Sequence, residues 1–169
     1  VNVTGDLSVT GEGAGTFKGK VTPNSMYISG DNTKPTSVTG SYNITLGILA
    51  GSSMTSGYQN IAIGYQAGDS ITTGTKNISI GYQTLYTSPA VRSYCTAVGY
   101  QALYNFNGEN NTAVGVEAAK YCHGAYNTAI GAYALQGLNS NQGPDSSIAI
   151  GQTAGRYQGE SDYNIWLGA

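Results

Sequence analysis

The chain has 169 residues, of which 9% are charged, 25 are Gly and 14 are Tyr. A formal net charge of −2 provides no basic surface for a phosphate backbone, so we expect no nucleic-acid partner. No apolar run approaches the roughly 20 residues that cross a bilayer, so we expect no membrane insertion.

Short alternating apolar pairs mark the N-terminal segment, residues 1–29. The pairs are Val1 and Val3, Leu7 and Val9, and Phe17 and Val21. Gly-containing turns separate them, so we interpret this segment as a short β-stranded N-terminal collar or shaft joint. Residues 30–41 contain a Pro, two Gly and no apolar periodicity, and are predicted to be a linker.

One five-residue phrase then recurs eight times, and each copy ends in Gly. Typical copies are NIAIG at 60–64, NTAVG at 111–115 and NTAIG at 127–131. Successive glycines lie 16 to 20 residues apart, which is too short for paired helices. Residues 42–169 are therefore predicted to be all-β, a β-solenoid or parallel β-roll of eight stacked repeats. The phrase glycines are Gly47, Gly64, Gly81, Gly99, Gly115, Gly131, Gly151 and Gly168.

The alternation within each phrase predicts a strand with two different faces. The residue before the Gly is Ile, Val or Leu, and the residue two positions earlier is Ile or Thr. We interpret these larger side chains as inward-facing and the small residue between them as facing a partner. An Ala or Thr three residues after each of the first seven glycines is interpreted as the start of a second short strand.

Equivalent side chains of successive coils are expected to form ladders. Asn opens six of the eight phrases, and stacked Asn side chains can share amide hydrogen bonds. Cys95 and Ser147 open the other two. Residues that follow three of the glycines are also predicted to stack, as an aromatic and an amide ladder: Tyr65, Tyr82, Tyr100, Gln66, Gln83 and Gln101.

Each coil contains only two or three large apolar residues, so one chain would enclose a thin core and leave a face exposed. Self-association would cover that face. We predict a homotrimer, because cyclic symmetry closes such an interface.

The repeat carries a resemblance to known proteins. The pattern N-[IT]-[AS]-[IV]-G-x-x-[AT] resembles the repeat of trimeric autotransporter adhesin heads, and CTAVGYQALYN at 95–105 resembles bacteriophage tail-fibre repeats. VNVTGDLSVTGEGAGTF at 1–17 is similar to strand–turn segments of phage fibres. The resemblance implies a left-handed roll in an elongated homotrimer. It also implies a tail-fibre segment for host-cell attachment, located in the virion tail, assembled in the host cytoplasm and bound to other virion tail proteins.

In phage fibres of this kind, an intramolecular chaperone domain often follows the repeats and cuts itself off. The resemblance therefore makes Ala169 a candidate processing end. Two other functions are compatible with the repeat: the head domain of a bacterial trimeric adhesin, and a passive fibre shaft whose binding tip lies elsewhere.

Insertions in a solenoid form surface loops, often on the binding side. Here they fall at 86–94, 104–110 and 134–147, and the phrase KYCHGAY at 120–126 adds rings and the only histidine. We expect these loops to contact a host surface glycan or outer-membrane protein, since rings and amides suit sugar recognition. The candidate receptor-binding residues are Tyr104, Phe106, Asn107, Tyr121, His123 and Tyr126.

Catalytic and metal sites are not expected. A catalytic triad would depend on the single His123, and the acids Asp145, Glu160 and Asp162 are interpreted as solvated surface groups rather than the carboxylate pair of a polysaccharide depolymerase. Cys122 and the neighbouring His123 provide only two ligands, whereas zinc normally takes four. Cys95 and Cys122 lie almost two coils apart, about 10 Å, which is too far for a disulfide. We therefore predict a protein that is not an enzyme and uses no cofactor or metal.

Overall fold

A computed structural model describes residues 26–28, 39–87, 92–137, 143–157 and 162–168, with only the backbone for 26–28. These residues contain no helix and form one nine-stranded sheet in which the strands follow chain order. The strands are β1 (Met26–Ile28), β2 (Ile44–Leu46), β3 (Ile61–Ile63), β4 (Ile78–Ile80), β5 (Thr96–Val98), β6 (Thr112–Val114), β7 (Thr128–Ile130), β8 (Ile148–Ile150) and β9 (Ile165–Leu167).

Every strand pairs in parallel with the next strand along the chain. The register aligns equivalent repeat positions, so that Ala62 lies beside Ser79 and Ser79 beside Ala97. Each intervening segment therefore makes one turn of a parallel β-solenoid of about seven turns. The predicted all-β, solenoid fold is confirmed.

Strand β1 lies in the segment predicted as a collar and pairs with β2, so the sheet begins ahead of the first Gly-ended phrase. Residues 1–25 of the predicted collar and 29–38 of the predicted linker lie outside the described residues, as does Ala169. Parts of two predicted loops, 88–91 and 138–142, lie outside them as well.

The two faces of each strand are reversed relative to our prediction. In β2 to β8 the small central residue is buried, as at Ala62, Ala97 and Ala129. The larger side chains on either side point outward, and Ile130, for example, is 40% exposed. The reason is that the coil is thin. The hydroxyls of Ser79 and Thr84 lie 2.7 Å apart across its interior, so the interior has room only for small side chains at these positions.

The small residue three positions after each phrase glycine is buried but lies in a turn, so the predicted second strand is wrong. Gln66 and Gly68 on either side of Ala67 both have positive φ, 53° and 61°, which an extended chain does not adopt. The turns still connect the coils through backbone hydrogen bonds, such as Gly68 N to Thr84 O at 2.8 Å.

The phrase glycines are required by their backbone, as the repeat predicted. Gly131 has φ of 131°, a conformation open essentially to Gly alone. A Cβ at this position would lie 2.5 Å from the carbonyl oxygen of Gly151 in the next coil. The neighbouring coil therefore leaves no space for a side chain here.

The predicted Asn ladder is confirmed and satisfies buried backbone groups. Asn77 donates from Nδ2 to Asn60 Oδ1 at 3.0 Å and to Arg92 O at 2.7 Å. Its Oδ1 accepts the backbone N–H of Cys95 at 3.0 Å. At Asn127 the backbone N–H donates to Asn111 Oδ1 at 2.8 Å, and the side-chain Oδ1 accepts the backbone N–H of Ser147 at 2.9 Å. Each ladder residue thus connects two neighbouring coils.

Both cysteines are free and buried. Cys95 occupies an Asn position in the ladder, and its thiol lies 3.5 Å from the carbonyl oxygen of Gly108. Burial raises the pKa of the Cys95 thiol to about 11 and that of the Cys122 thiol to about 11. Both are therefore neutral, packed thiols.

Candidate functional site

The six predicted receptor-binding residues lie on two neighbouring coils, which end in Gly115 and Gly131. Tyr126 is 64% exposed, and Asn107 is exposed as well. Phe106, by contrast, is 2% exposed, because its ring packs in the core with the guanidinium of Arg92 5.4 Å from the ring centroid. The Phe106 ring is therefore not available at the surface, contrary to what its loop position suggested.

Tyr104 and Tyr121 meet around one lysine. The ammonium of Lys120 lies 5.7 Å from the Tyr104 ring centroid and 5.3 Å from that of Tyr121. Lys120 also pairs with Glu117 at 3.3 Å. Tyr104 stacks in turn on Tyr86, with ring centroids 5.2 Å apart. The half-buried rings and the paired lysine form a continuous surface.

His123 is half-buried, and its Nδ1 atom has no hydrogen-bond partner in the described part of the chain. Burial, and secondarily the charge of Arg92, lower the pKa of His123, so the ring is neutral at pH 7. The adjacent Cys122 thiol accepts a hydrogen bond from Asn127 Nδ2 at 3.3 Å. The described residues contain no cluster of three or more His, Cys, Asp or Glu side chains able to hold a metal ion.

The acids near the C-terminal end act as backbone acceptors. A carboxylate oxygen of Asp145 accepts the N–H of Ala125 at 2.6 Å, and one of Asp162 accepts the N–H of Asp145 at 2.8 Å. These contacts connect successive coils. Glu160 lies outside the described residues.

The predicted aromatic and amide ladders are both confirmed. Tyr65 and Tyr82 stack with centroids 5.3 Å apart, and Tyr82 and Tyr100 with centroids 5.2 Å apart. Beside them, Gln83 donates to Gln66 at 2.8 Å, and the next Gln along the stack donates to Gln83 at 2.9 Å. The three rings are 41 to 47% exposed, so the ladders form a regular surface.

One exposed apolar surface consists of residues that the strand alternation predicted to be in the core. We call it the outer sheet face, and it consists of the outward side chains of β2 to β9. Several of its residues are more than one-third exposed: Ile44, Leu46, Val114, Ile130, Ile148, Ile150, Ile165 and Leu167. The signal for this surface is the pairing of a small central strand residue with a small residue three positions after the Gly. The two face each other across the interior, as Ser79 and Thr84 do, and leave no room there for a larger strand side chain.

Comparisons of the chain with protein-family models, curated proteins and solved structures find no match. Among the residues that the structure describes, no helix is long and apolar enough to span a membrane.

Proposed function

We propose that this chain is a homotrimeric segment of a viral tail fibre that attaches the virion to its host cell and performs no catalysis. The observation that carries the proposal is the outer sheet face. The outward residue directly before each phrase glycine is Ile, Val or Leu in every strand from β2 to β9, and this column runs along the described solenoid. The second outward column is Ile in β2 to β4, β8 and β9 and Thr in β5 to β7. Large continuous apolar surfaces mark sites of protein association.

A second copy of the chain is the partner that this face suits. The face repeats with the coil spacing, so an identical, parallel solenoid presents at least one outward Ile, Val or Leu at the matching height on every coil from β2 to β9. Three copies around one axis would bury all three faces and close the assembly, whereas an open arrangement would leave apolar edges. The resemblance of the repeat to trimeric fibres and adhesin heads favours the same arrangement.

Receptor contact is proposed for the exposed side chains of the two central coils. Tyr104, Asn107, Tyr121 and Tyr126 offer rings and an amide at the surface, and these groups bind the hydroxyls and apolar faces of sugars or a protein loop. Three identical sets of these side chains on one trimer would bind a repeated surface glycan or outer-membrane protein with high avidity.

Adsorption to bacterial cells tests the proposal. Purified trimer should sediment with cells of a susceptible strain and release no oligosaccharide from extracted surface glycan. Replacing Asn107 and Tyr126 with Ala should reduce adsorption by about tenfold or more, in line with the loss of two interface side chains. The matched control is Tyr58→Ala, which removes an exposed Tyr from a distant coil. Absence of adsorption would support a passive shaft, and released oligosaccharide would support a depolymerase.

A further inference from the structure

The aromatic and amide ladders form a surface with a constant repeat. We call it the Tyr–Gln patch, and it consists of Tyr65, Gln66, Tyr82, Gln83, Tyr100 and Gln101. Each of three successive coils contributes one ring and one amide. The ring centroids are 5.3 and 5.2 Å apart, and the same pair of groups recurs once on each coil along the stack.

The ladder bonds hold the amides in one orientation while leaving part of each free. An amide has two N–H donors and an oxygen with two lone pairs. Gln83 uses one donor toward Gln66 and one lone pair toward Gln101, so one N–H and one lone pair remain. The hydroxyls of Tyr65, Tyr82 and Tyr100 make no hydrogen bond to any described residue. The patch thus presents preorganised donors and acceptors, which lowers the entropic cost of binding a ligand.

The ring faces are largely occupied by each other. Tyr82 is flanked on both sides, at interplanar angles of 13° and 8°. A ligand therefore meets ring edges and hydroxyls rather than open faces. This arrangement suits a polymer rich in hydroxyl groups better than a flat aromatic ligand, because hydroxyls can both donate to and accept from phenol and amide groups.

The spacing of the groups in the Tyr–Gln patch indicates which class of polymer fits it. An extended, equatorially linked glycan advances by one ring and one bridging oxygen per sugar, a distance of the same order as the coil spacing of about 4.8 Å and as the centroid separations of 5.2 and 5.3 Å between the stacked rings. An extended peptide advances by about 3.3 Å per residue, so its groups fall out of step with the patch within two coils. None of the six side chains is charged, and the next residue in the Gln column is Glu117, so a polyanion gains nothing here.

We propose that the Tyr–Gln patch binds a linear, neutral glycan that lies along the fibre, with one sugar unit on each of three coils. This inference rests on the proposed attachment function and assigns it a ligand class and a site. Tyr86, whose hydroxyl accepts a hydrogen bond from Gln66 at 3.4 Å, and its stacking partner Tyr104 border the same surface. The patch therefore continues into the predicted receptor-binding region.

Titration calorimetry of the assembled protein tests the site, with β-1,4-linked glucose and N-acetylglucosamine oligomers of one to six units as probes. Affinity should rise with each unit up to three, the number of coils in the patch, and change little beyond four. Tyr82→Phe keeps the stack and removes a hydroxyl, and Gln83→Met keeps the side-chain volume and removes the amide. Each should weaken binding of the longer oligomers by about tenfold.

The control variants are Tyr58→Phe and Gln152→Met, which change exposed residues outside the patch and should leave affinity unchanged. Absence of binding to both series, affinity independent of length, or equal binding by the Tyr82 and Gln83 variants would overturn the site. Adsorption to cells is measured separately. Adsorption that persists in those variants leaves the attachment function standing, whereas a wild-type chain that adsorbs to no cells contradicts attachment whatever it does with oligosaccharides.

Discussion

Removing one rung of the Asn ladder should destabilise the solenoid by an amount that can be worked out from its hydrogen bonds. In Asn77→Ala, the N–H of Cys95 and the carbonyl of Arg92 both lose the side-chain hydrogen bond that the structure gives them. Asn60 Oδ1 keeps one donor, the backbone N–H of residue 77, at 3.0 Å. The buried Cys95 N–H loses its acceptor at a cost of about 1 to 3 kcal/mol, and loss of the bond to the Arg92 carbonyl adds about 0.5 to 1.5 kcal/mol, so the total should be roughly 1.5 to 4.5 kcal/mol.

Chemical denaturation at fixed protein concentration, followed by circular dichroism, measures this loss. Gln152→Ala removes an exposed amide and should change the free energy of unfolding by less than about 0.5 kcal/mol. In the opposite direction, Cys95→Asn should restore the missing rung and stabilise the protein by about 1 to 2 kcal/mol, because an amide replaces a weakly bonding thiol. An Asn77→Ala variant within about 1 kcal/mol of wild type would refute the reasoning.

Three further changes probe other features of the fold. Gly131→Ala places a Cβ against the carbonyl oxygen of Gly151 at positive φ and should lower the free energy of unfolding, measured by thermal denaturation, by about 3 kcal/mol or more. An unchanged melting temperature would show that the neighbouring coils can move apart to admit the methyl group. Ile130→Glu places a charge on the outer sheet face and should reduce the mass seen by light scattering to that of one chain, while Tyr58→Glu should not. The Cys122 thiol, with its pKa raised to about 11, should resist iodoacetamide at pH 8 until the protein unfolds, and rapid labelling of the native protein would contradict its burial. Because the thiol ionises more readily in the unfolded chain, its contribution to stability should fall as pH rises from about 9 through 11.

The repeat predicted the stacking but not the direction in which the strand faces point. The spacing of the Gly-ended phrases implied aligned coils, and the recurrence of Asn, Tyr and Gln implied ladders, because side chains at equivalent positions of stacked coils must meet. Alternation shows only that a strand has two faces. At Ala62 and Ile63 the usual assumption that the larger residue is inside fails, since the interior beside the strands accommodates Ala at the central position, while the large core residues such as Ile71 and Leu85 come from the turns.

The candidate site was predictable only where loop position decides exposure. Tyr126 and Asn107 lie at the surface as expected, but Phe106 turns inward onto Arg92, and its loop gave no sign of that packing. Similarly, the sequence does not reveal the turn around Ala67, because left-handed backbone is rare at residues other than Gly. The residue that adopts it, two positions after the phrase glycine, is Leu, Gln, Glu, Tyr or Thr in the seven coils. The correspondence between the ladder and the repeat of a glycan required the ring positions in the structure.

The mass of the assembled chain in solution tests the central claim, that the apolar columns of the outer sheet face are covered by two further copies of the same polypeptide. Sedimentation equilibrium at micromolar concentration should give three times the chain mass of 17.4 kDa. A stable, folded species of 17.4 kDa at that concentration would contradict the account.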